Sequence, residues 1–291
     1  MKFNNVLTVS KMYIELTKPK VLLLMAVTVI AGMHLNPMAS NPISITIGLI
    51  GIMMVCASGA VFNHALDQKI DEKMGRTHNR PIPTKQVTTQ NAIILGLALC
   101  VSGFYILYQH INPITAWLTL ASCIGYAVIY TLLLKKATSQ NIVIGGLSGA
   151  MPPLLGWTAI SGTIDPLPII LVMIIFTWTP PHFWALAIEK NEEYKKTGLP
   201  MLPITHGIPL TKVFIFLYTI LLLAIGMLPY VINAAGTIYL IASTAANIGF
   251  IQKAYALWKD KTNELAMHVF RYSILNLFII FIGLIIDRAM R

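Results

Sequence analysis

The sequence predicts an all-α, polytopic membrane protein with nine transmembrane helices around a central cavity and a cytoplasmic N-terminus. Two observations give the class. Of 291 residues, 56% are hydrophobic and 11% charged, with a mean hydropathy of +0.71, and a soluble domain of this size carries far more charge. No charged residue falls between Lys20 and Asp67, between Lys85 and Lys135, or between Lys212 and Lys253. Each gap accommodates one or two spans of about 20 residues. A third observation gives the orientation. Alternating spans put nearly every Lys and Arg on one side and leave only Arg288 and Arg291 on the other, which makes the basic side cytoplasmic.

The spans are expected at 21–36, 43–62, 91–109, 114–134, 141–160, 167–188, 212–232, 236–256 and 269–286. Asn36-Pro37, Asn41-Pro42, Asn112-Pro113, Gly162 and Gly236 punctuate the short connections. Residues 1–20, basic and mildly amphipathic, read as a cytoplasmic surface segment that stops near Pro19. The first apolar run lacks a small-x-small cleavage site and is read as retained. The chain is expected to be one membrane domain over 1–291, with 63–90 and 189–211 as loops of the active face. Its net charge of +10 follows from loop placement and excludes no membrane function, while giving no reason to expect a nucleic-acid partner. Cys56, Cys100 and Cys123 stand singly in apolar runs and read as packing residues.

The chemistry concentrates in NHALDQKIDEKMGRTHNRPIPTK, residues 63–85. Asn63, Asp67 and Asp71 stand four apart, so one continuous helix would present them on one face, about 6 Å apart per step. Oxygen donors of this kind suit Mg²⁺, which keeps waters and leans on substrate phosphates. Arg76, Arg80 and Lys85 follow and offer fixed positive charge to the same phosphates. A second polar stretch, EKNEEYKKTGLPMLPITHG from residue 189, falls on the same side. Glu189 and Glu193 are again four apart, on one face of a helix end, with Lys195 and Lys196 after them. Lys135 and Lys136 on that side either bind phosphate or obey the positive-inside bias.

Gly145-Gly146 and Met151-Pro152-Pro153 are expected to loosen the fifth span, and Thr179-Pro180-Pro181 to kink the sixth. His182 follows that second kink. An ionisable side chain at membrane depth is a functional candidate, here for haem iron or a polar substrate; a hydrogen-bonded packing histidine is the alternative. His34 reads as packing near the outer end, whereas His64, His78 and His206 lie in or beside the active-face loops. Trp157, Trp178, Trp184, Tyr126 and Tyr130 are able to shield an allylic cation with their ring faces, or simply to pack.

The Asn63-x-x-x-Asp67-x-x-x-Asp71 pattern resembles the first motif of the UbiA-type intramembrane prenyltransferases. Thr17-Lys18-Pro19-Lys20, Met74-x-Arg76-Thr77-x-x-Arg80-Pro81, Tyr130-Thr131 with Leu134-Lys135, and Asn141-Ile142-Val143-Ile144-Gly145-Gly146 are similar to one branch of that family. So are Pro152-Pro153-Leu154-x-Gly156-Trp157, Pro181-His182-Phe183-x-Ala185-Leu186-Ala187, Glu193-Tyr194 and Pro200-Met201-Leu202-Pro203. The similarity covers the first six spans and the loop after them; the last three match only in hydropathy. The branch transfers the farnesyl group of farnesyl diphosphate to a vinyl group of haem B and adds water.

The resemblance implies nine helices, Mg²⁺ as cofactor, haem B and farnesyl diphosphate as substrates, and a bacterial inner-membrane location with its active face cytoplasmic. It also implies hand-over of the product to a haem A synthase or terminal oxidase. It assigns metal to Asn63, Asp67 and Asp71, and diphosphate to Arg76, Arg80, Lys135 and Lys136. Of the second acidic pair it supports Glu193 alone, because the branch has no acid where Glu189 stands. A prenyltransferase acting on a quinone-ring precursor such as 4-hydroxybenzoate is the alternative enzyme. A transporter or haem carrier is the alternative outside enzymes.

Overall fold

The computed structural model describes residues 2–38, 41–75 and 77–291, with side chains from residue 9 onward. Among the described residues the regular structure is all helical, without strands. In chain order the elements are α1 (Lys2–Leu16), α2 (Pro19–Leu35), α3 (Pro42–Leu66), α4 (Gln68–Asp71), α5 (Thr89–His110) and α6 (Pro113–Ile124). A π-helical segment, Gly125–Leu134, continues α6 into α7 (Lys135–Ala137). Then come α8 (Asn141–Ala150), α9 (Pro152–Ser161), α10 (Pro166–Glu189), α11 (Asn191–Thr197), α12 (Leu202–Thr205), α13 (Ile208–Val231), α14 (Thr237–Lys259) and α15 (Ala266–Met290).

Every segment expected to span is helical. Seven described helices are long and apolar enough to cross a membrane, and the pair α1–α2, bent by 52°, adds an eighth if it is one span. The chain is a multi-pass membrane protein. The Asn-Pro punctuation works as capping: Asn41 Oδ1 accepts from Ile43 N at 2.9 Å and Asn112 Oδ1 from Thr115 N at 2.8 Å. The proline after each sits in the first turn, where its missing N–H costs nothing. The α1–α2 bend has the same local origin. Pro19 disfavours the right-handed helical region for the residue before it, and Lys18 adopts φ 54° and ψ 62°. The fifth expected span is interrupted at Met151, between α8 and α9. The expected kink at Pro180-Pro181 is not an interruption, because α10 stays helical through both prolines. The Thr179 hydroxyl there donates to Ile175 O at 2.7 Å.

The chain forms two compact units: Met1–Leu133 with Leu155–Thr163, and Leu134–Leu154 with Ile164–Arg291. In the first, α3 packs along α5 and against α2 and α6. The approach is close enough that a Cβ on Gly103 would stand 2.8 Å from Gly51 O, and one on Gly156 would stand 2.0 Å from Val29 O. Small residues at such crossings replace the hydrophobic drive that lipid cannot supply. At the loop end of this unit, Leu16, Val61, Ala65, Ile82, Val87 and Ala92 form a buried cluster. Burying a side chain such as Ile82 contributes roughly 1.5–3 kcal/mol, and the cluster pins the 63–85 loop back onto α1, α3 and α5.

In the second unit α10 packs against α8, α13 and α15, and α13 and α15 pack on α14. Two buried polar side chains bridge neighbouring helices of this unit. Tyr239 OH donates to Gly226 O at 2.7 Å, and Asn276 Nδ2 to Asn247 Oδ1 at 3.0 Å. Buried Asp287 caps the start of α14, accepting from Gly236 N at 2.6 Å and Tyr239 N at 3.2 Å.

Candidate active site

The site forms where α3 ends. Asn63 and His64 occupy its last turn, Asp67 caps it, and Asp71 closes α4. The ladder is not carried on one continuous helix, contrary to the sequence expectation. Asp67 takes φ −88° and ψ 3° and breaks α3 from α4. The i to i+4 spacing nevertheless survives, since Asp67 N donates to Asn63 O and Asp71 N to Asp67 O, both at 2.9 Å. Asn63, Asp67 and Asp71 are all buried.

Each of these groups is held by partners. The Asn63 amide donates to Asp67 Oδ2 at 2.7 Å and to Thr131 Oγ1 at 3.2 Å. Its carbonyl oxygen accepts from Lys18 Nζ at 2.5 Å. Lys18 also donates to the Tyr126 hydroxyl at 3.2 Å. Arg80 Nη1 donates to both Asp71 oxygens, at 2.8 and 2.7 Å. Buried Thr77, from the same loop, donates to Asp71 O at 3.2 Å. Buried Asp71 thus faces the Arg80 guanidinium, a pairing that makes its buried charge tolerable, while Asp67 is held by the Asn63 amide.

The π-helical segment supplies the far wall. Its wider turn aligns residues five apart, and Thr131 Oγ1 donates to Tyr126 O at 2.9 Å. Tyr126 and Tyr130 stack at 5.9 Å between centroids, 10° apart. Lys18, Tyr126 and Thr131 are the site residues that spacing could not reveal. The motifs around Lys18 and Thr131 carried the resemblance, but nothing local placed them beside Asn63, 45 and 68 residues away in the chain.

The donor chemistry, two buried carboxylates and a buried amide oxygen, suits a hard divalent cation, which would have to displace Lys18 from Asn63 Oδ1 and Arg80 from Asp71. Among the described residues no group of three or more His, Cys, Asp or Glu is placed to hold a metal, so substrate oxygens would have to complete the shell. Arg76 lies outside the described residues. Among the described residues, buried His64 has neither ring nitrogen hydrogen-bonded, while exposed His78 and His206 lie within hydrogen-bond distance of Gly75 O and Thr205 Oγ1. A cavity of about 350 Å³ lined by Asn41, Ser44, His110 and Asn112 lies at the opposite end of α3 from the site.

In the second unit, Glu189 and Glu193 do not share a continuous helix as expected. Lys190, at φ −98° and ψ 22°, separates α10 from α11. Glu189 is exposed, whereas Glu193 is half-buried and pairs with Lys190 at 3.3 Å. Tyr194 beside it is buried and anchors α11. Lys135 is half-buried, its carbonyl accepting from Asn141 Nδ2 at 3.1 Å, and Lys136 is exposed. His182 is sandwiched between Trp178 and Phe270, with ring centroids 4.2 and 4.5 Å away. Its Nδ1 lies 2.6 Å from Ser273 Oγ. Trp184 packs edge-on against Tyr218.

The helical membrane scaffold and its buried Asn63, Asp67 and Asp71 belong to a chain of the UbiA prenyltransferase family, whose model matches residues 25–282. Its similarity extends to named relatives. It is 52% identical to Protoheme IX farnesyltransferase 2 of Shewanella frigidimarina, over 94% of this chain and 91% of that one. It is 50% identical to Protoheme IX farnesyltransferase of Hahella chejuensis, over 94% and 92%. Among solved structures, a digeranylgeranylglyceryl phosphate synthase superposes with a TM-score of 0.83 at 22% identity, covering 98% of this chain and 100% of that one. A UbiA homolog from Archaeoglobus fulgidus bound to DMAPP and Mg²⁺ gives 0.67 at 15% identity, over 94% and 98%.

Proposed function

We propose that this protein joins the farnesyl group of farnesyl diphosphate to a vinyl group of haem B, with addition of water, giving haem O and diphosphate. The observation that carries the reading is identity of about half, along nearly the whole chain, to proteins named for that activity. In the reaction the C1–O bond of farnesyl diphosphate breaks and C1 bonds to the terminal vinyl carbon. Water then adds to the resulting cation and loses a proton, leaving a hydroxyethylfarnesyl chain.

Asp67 and Asp71, with Asn63, would hold Mg²⁺. When bound, Mg²⁺ neutralises charge on the departing diphosphate. Arg80, together with Arg76, Lys135 and Lys136, binds diphosphate oxygens; for Arg80 this means exchanging the Asp71 carboxylate for phosphate as the substrate enters. Glu193 carries a metal or diphosphate role. Tyr126 and Tyr130 present stacked ring faces suited to an allylic cation. His182 contacts haem. The reading includes one catalytic domain of nine spans in a bacterial inner membrane, with the N-terminus and active face cytoplasmic; the one-sided distribution of Lys and Arg supports that orientation. The reading also includes hand-over of the product to a haem A synthase or terminal oxidase.

The deciding experiment incubates purified protein with haem B, farnesyl diphosphate and Mg²⁺ and looks for haem O by mass. A parallel reaction with 4-hydroxybenzoate tests the other acceptor class. Prenylated benzoate without haem O overturns the reading, as does no product with either.

A further inference from the structure

Ser273, on α15, is fully buried and stands at the meeting point of three bonds. Its backbone oxygen accepts from the Trp178 indole at 2.7 Å. Its hydroxyl lies 2.6 Å from Phe270 O and 2.6 Å from His182 Nδ1. A serine hydroxyl has one proton. Phe270 O can only accept, so if the proton pointed at His182 instead, two oxygen lone-pair regions would be pressed together at 2.6 Å. Both contacts are satisfied only when Ser273 donates to Phe270 O and His182 Nδ1–H donates to Ser273.

That assignment leaves His182 Nε2 without a proton in the neutral ring. Nε2 makes no hydrogen bond among the described residues and is not among their sealed, unpartnered polar atoms. Trp178 and Phe270, at interplanar angles of 19° and 27°, cover both ring faces. The imidazole can therefore be approached only at its edge. A neutral histidine whose second nitrogen is hydrogen-bonded is the usual form of a metal-ligating imidazole, since the bond fixes tautomer and orientation.

We propose that Ser273 is a positioning residue: it holds His182 as the Nδ1–H tautomer and so leaves Nε2 able to bind the iron of the haem substrate. The inference rests on the reading that His182 contacts haem. Two measurements separate the two ideas. The first is nitrogen NMR of histidine-labelled, substrate-free protein in lipid nanodiscs, which reads the tautomer without haem. The second is titration with haem B alone, followed by the Soret band.

Wild-type protein should show a protonated Nδ1 and an unprotonated Nε2 at His182. In Ser273→Ala the His182 signals should change towards the Nε2–H form, and haem affinity should fall about 10- to 100-fold. Ser273→Thr, which retains the hydroxyl, should keep the wild-type pattern in a variant whose thermal melt matches wild type. An unchanged tautomer in Ser273→Ala overturns the role given to Ser273. A changed tautomer with an unchanged Soret band and affinity also overturns it, because the iron is then indifferent to Nε2. If His182→Ala leaves the haem spectrum as it was, the haem reading of His182 falls as well, whatever the tautomer.

Discussion

Lys18 Nζ lies 2.5 Å from Asn63 Oδ1 and 3.2 Å from the Tyr126 hydroxyl, so a left-handed residue at the α1–α2 bend is bonded to the first rung of the acidic ladder. The bond orients the Asn63 side chain. With its oxygen turned to Lys18, its NH₂ must face Asp67 and Thr131, as observed. An Asn cannot reverse that amide without placing NH₂ against an ammonium.

Replacing Lys18 should therefore disturb the site beyond the loss of one charge. Hydrogen bonds to charged groups contribute about 1.5–3 kcal/mol, which corresponds to roughly 10- to 150-fold in kcat/KM. Lys18→Met is expected to fall in that range for haem farnesylation, with the protein still inserted and monodisperse. A variant within twofold of wild type would show that Asn63 needs no such hold.

Asp67→Asn and Asp71→Asn should each abolish turnover in protein that still inserts and folds, Asp71→Asn with a lower melting temperature because it unpairs Arg80. Neutralising either carboxylate weakens the hold on a hard cation. Chelation of wild-type protein should reproduce the loss, and added Mg²⁺ should restore activity to the chelated wild type but to neither variant. Near-normal rates in either variant at ordinary Mg²⁺ would remove that residue from the metal site.

Arg80 and Asp71 form a partly buried ion pair at 2.7 Å. Removing one partner leaves a buried charge exposed to apolar surroundings, at a typical cost of about 3–5 kcal/mol. Arg80→Gln should lower the melting temperature in detergent, and the double variant with Asp71→Asn should recover much of it without recovering activity. Additive destabilisation in the double variant would mean that the pair does not couple.

The two glutamates after the sixth span are separable by activity. Glu193→Gln should cost at least about a hundredfold in kcat, since a carboxylate touching the metal-diphosphate contributes several kcal/mol. Exposed Glu189→Gln should stay within about threefold, the scale of a solvated surface charge. Equal large losses would assign both carboxylates to catalysis, and equal small losses would assign neither.

Gly156→Ala tests the crossing with α2, because its Cβ would meet Val29 O at 2.0 Å. Overpacking of this kind costs typically about 1–3 kcal/mol, and more against backbone than against a side chain that can move. Gly149→Ala, where a Cβ meets nothing within 4 Å, is the control and should melt as wild type. Equal melting temperatures would show that the helices separate at little cost.

The helical class and the positions of the helices were legible in the sequence because both depend on local composition. An apolar run of about 20 residues satisfies its backbone in lipid by forming a helix, and Asn41-Pro42 and Asn112-Pro113 mark where two such runs begin. The Asn63, Asp67 and Asp71 set was equally legible, because four-residue spacing is a local property that survives even the break at Asp67. Two other things depended on contacts between segments far apart in the chain, and only the tertiary structure decided them. Lys18 and Thr131 reach Asn63 from 45 and 68 residues away, by way of a left-handed turn and a π-helical segment that no periodicity announces. His182 likewise acquires its partner from Ser273, 91 residues on. The sequence could nominate a histidine at membrane depth, but which ring nitrogen carries the proton is set by the acceptor that packing brings to it.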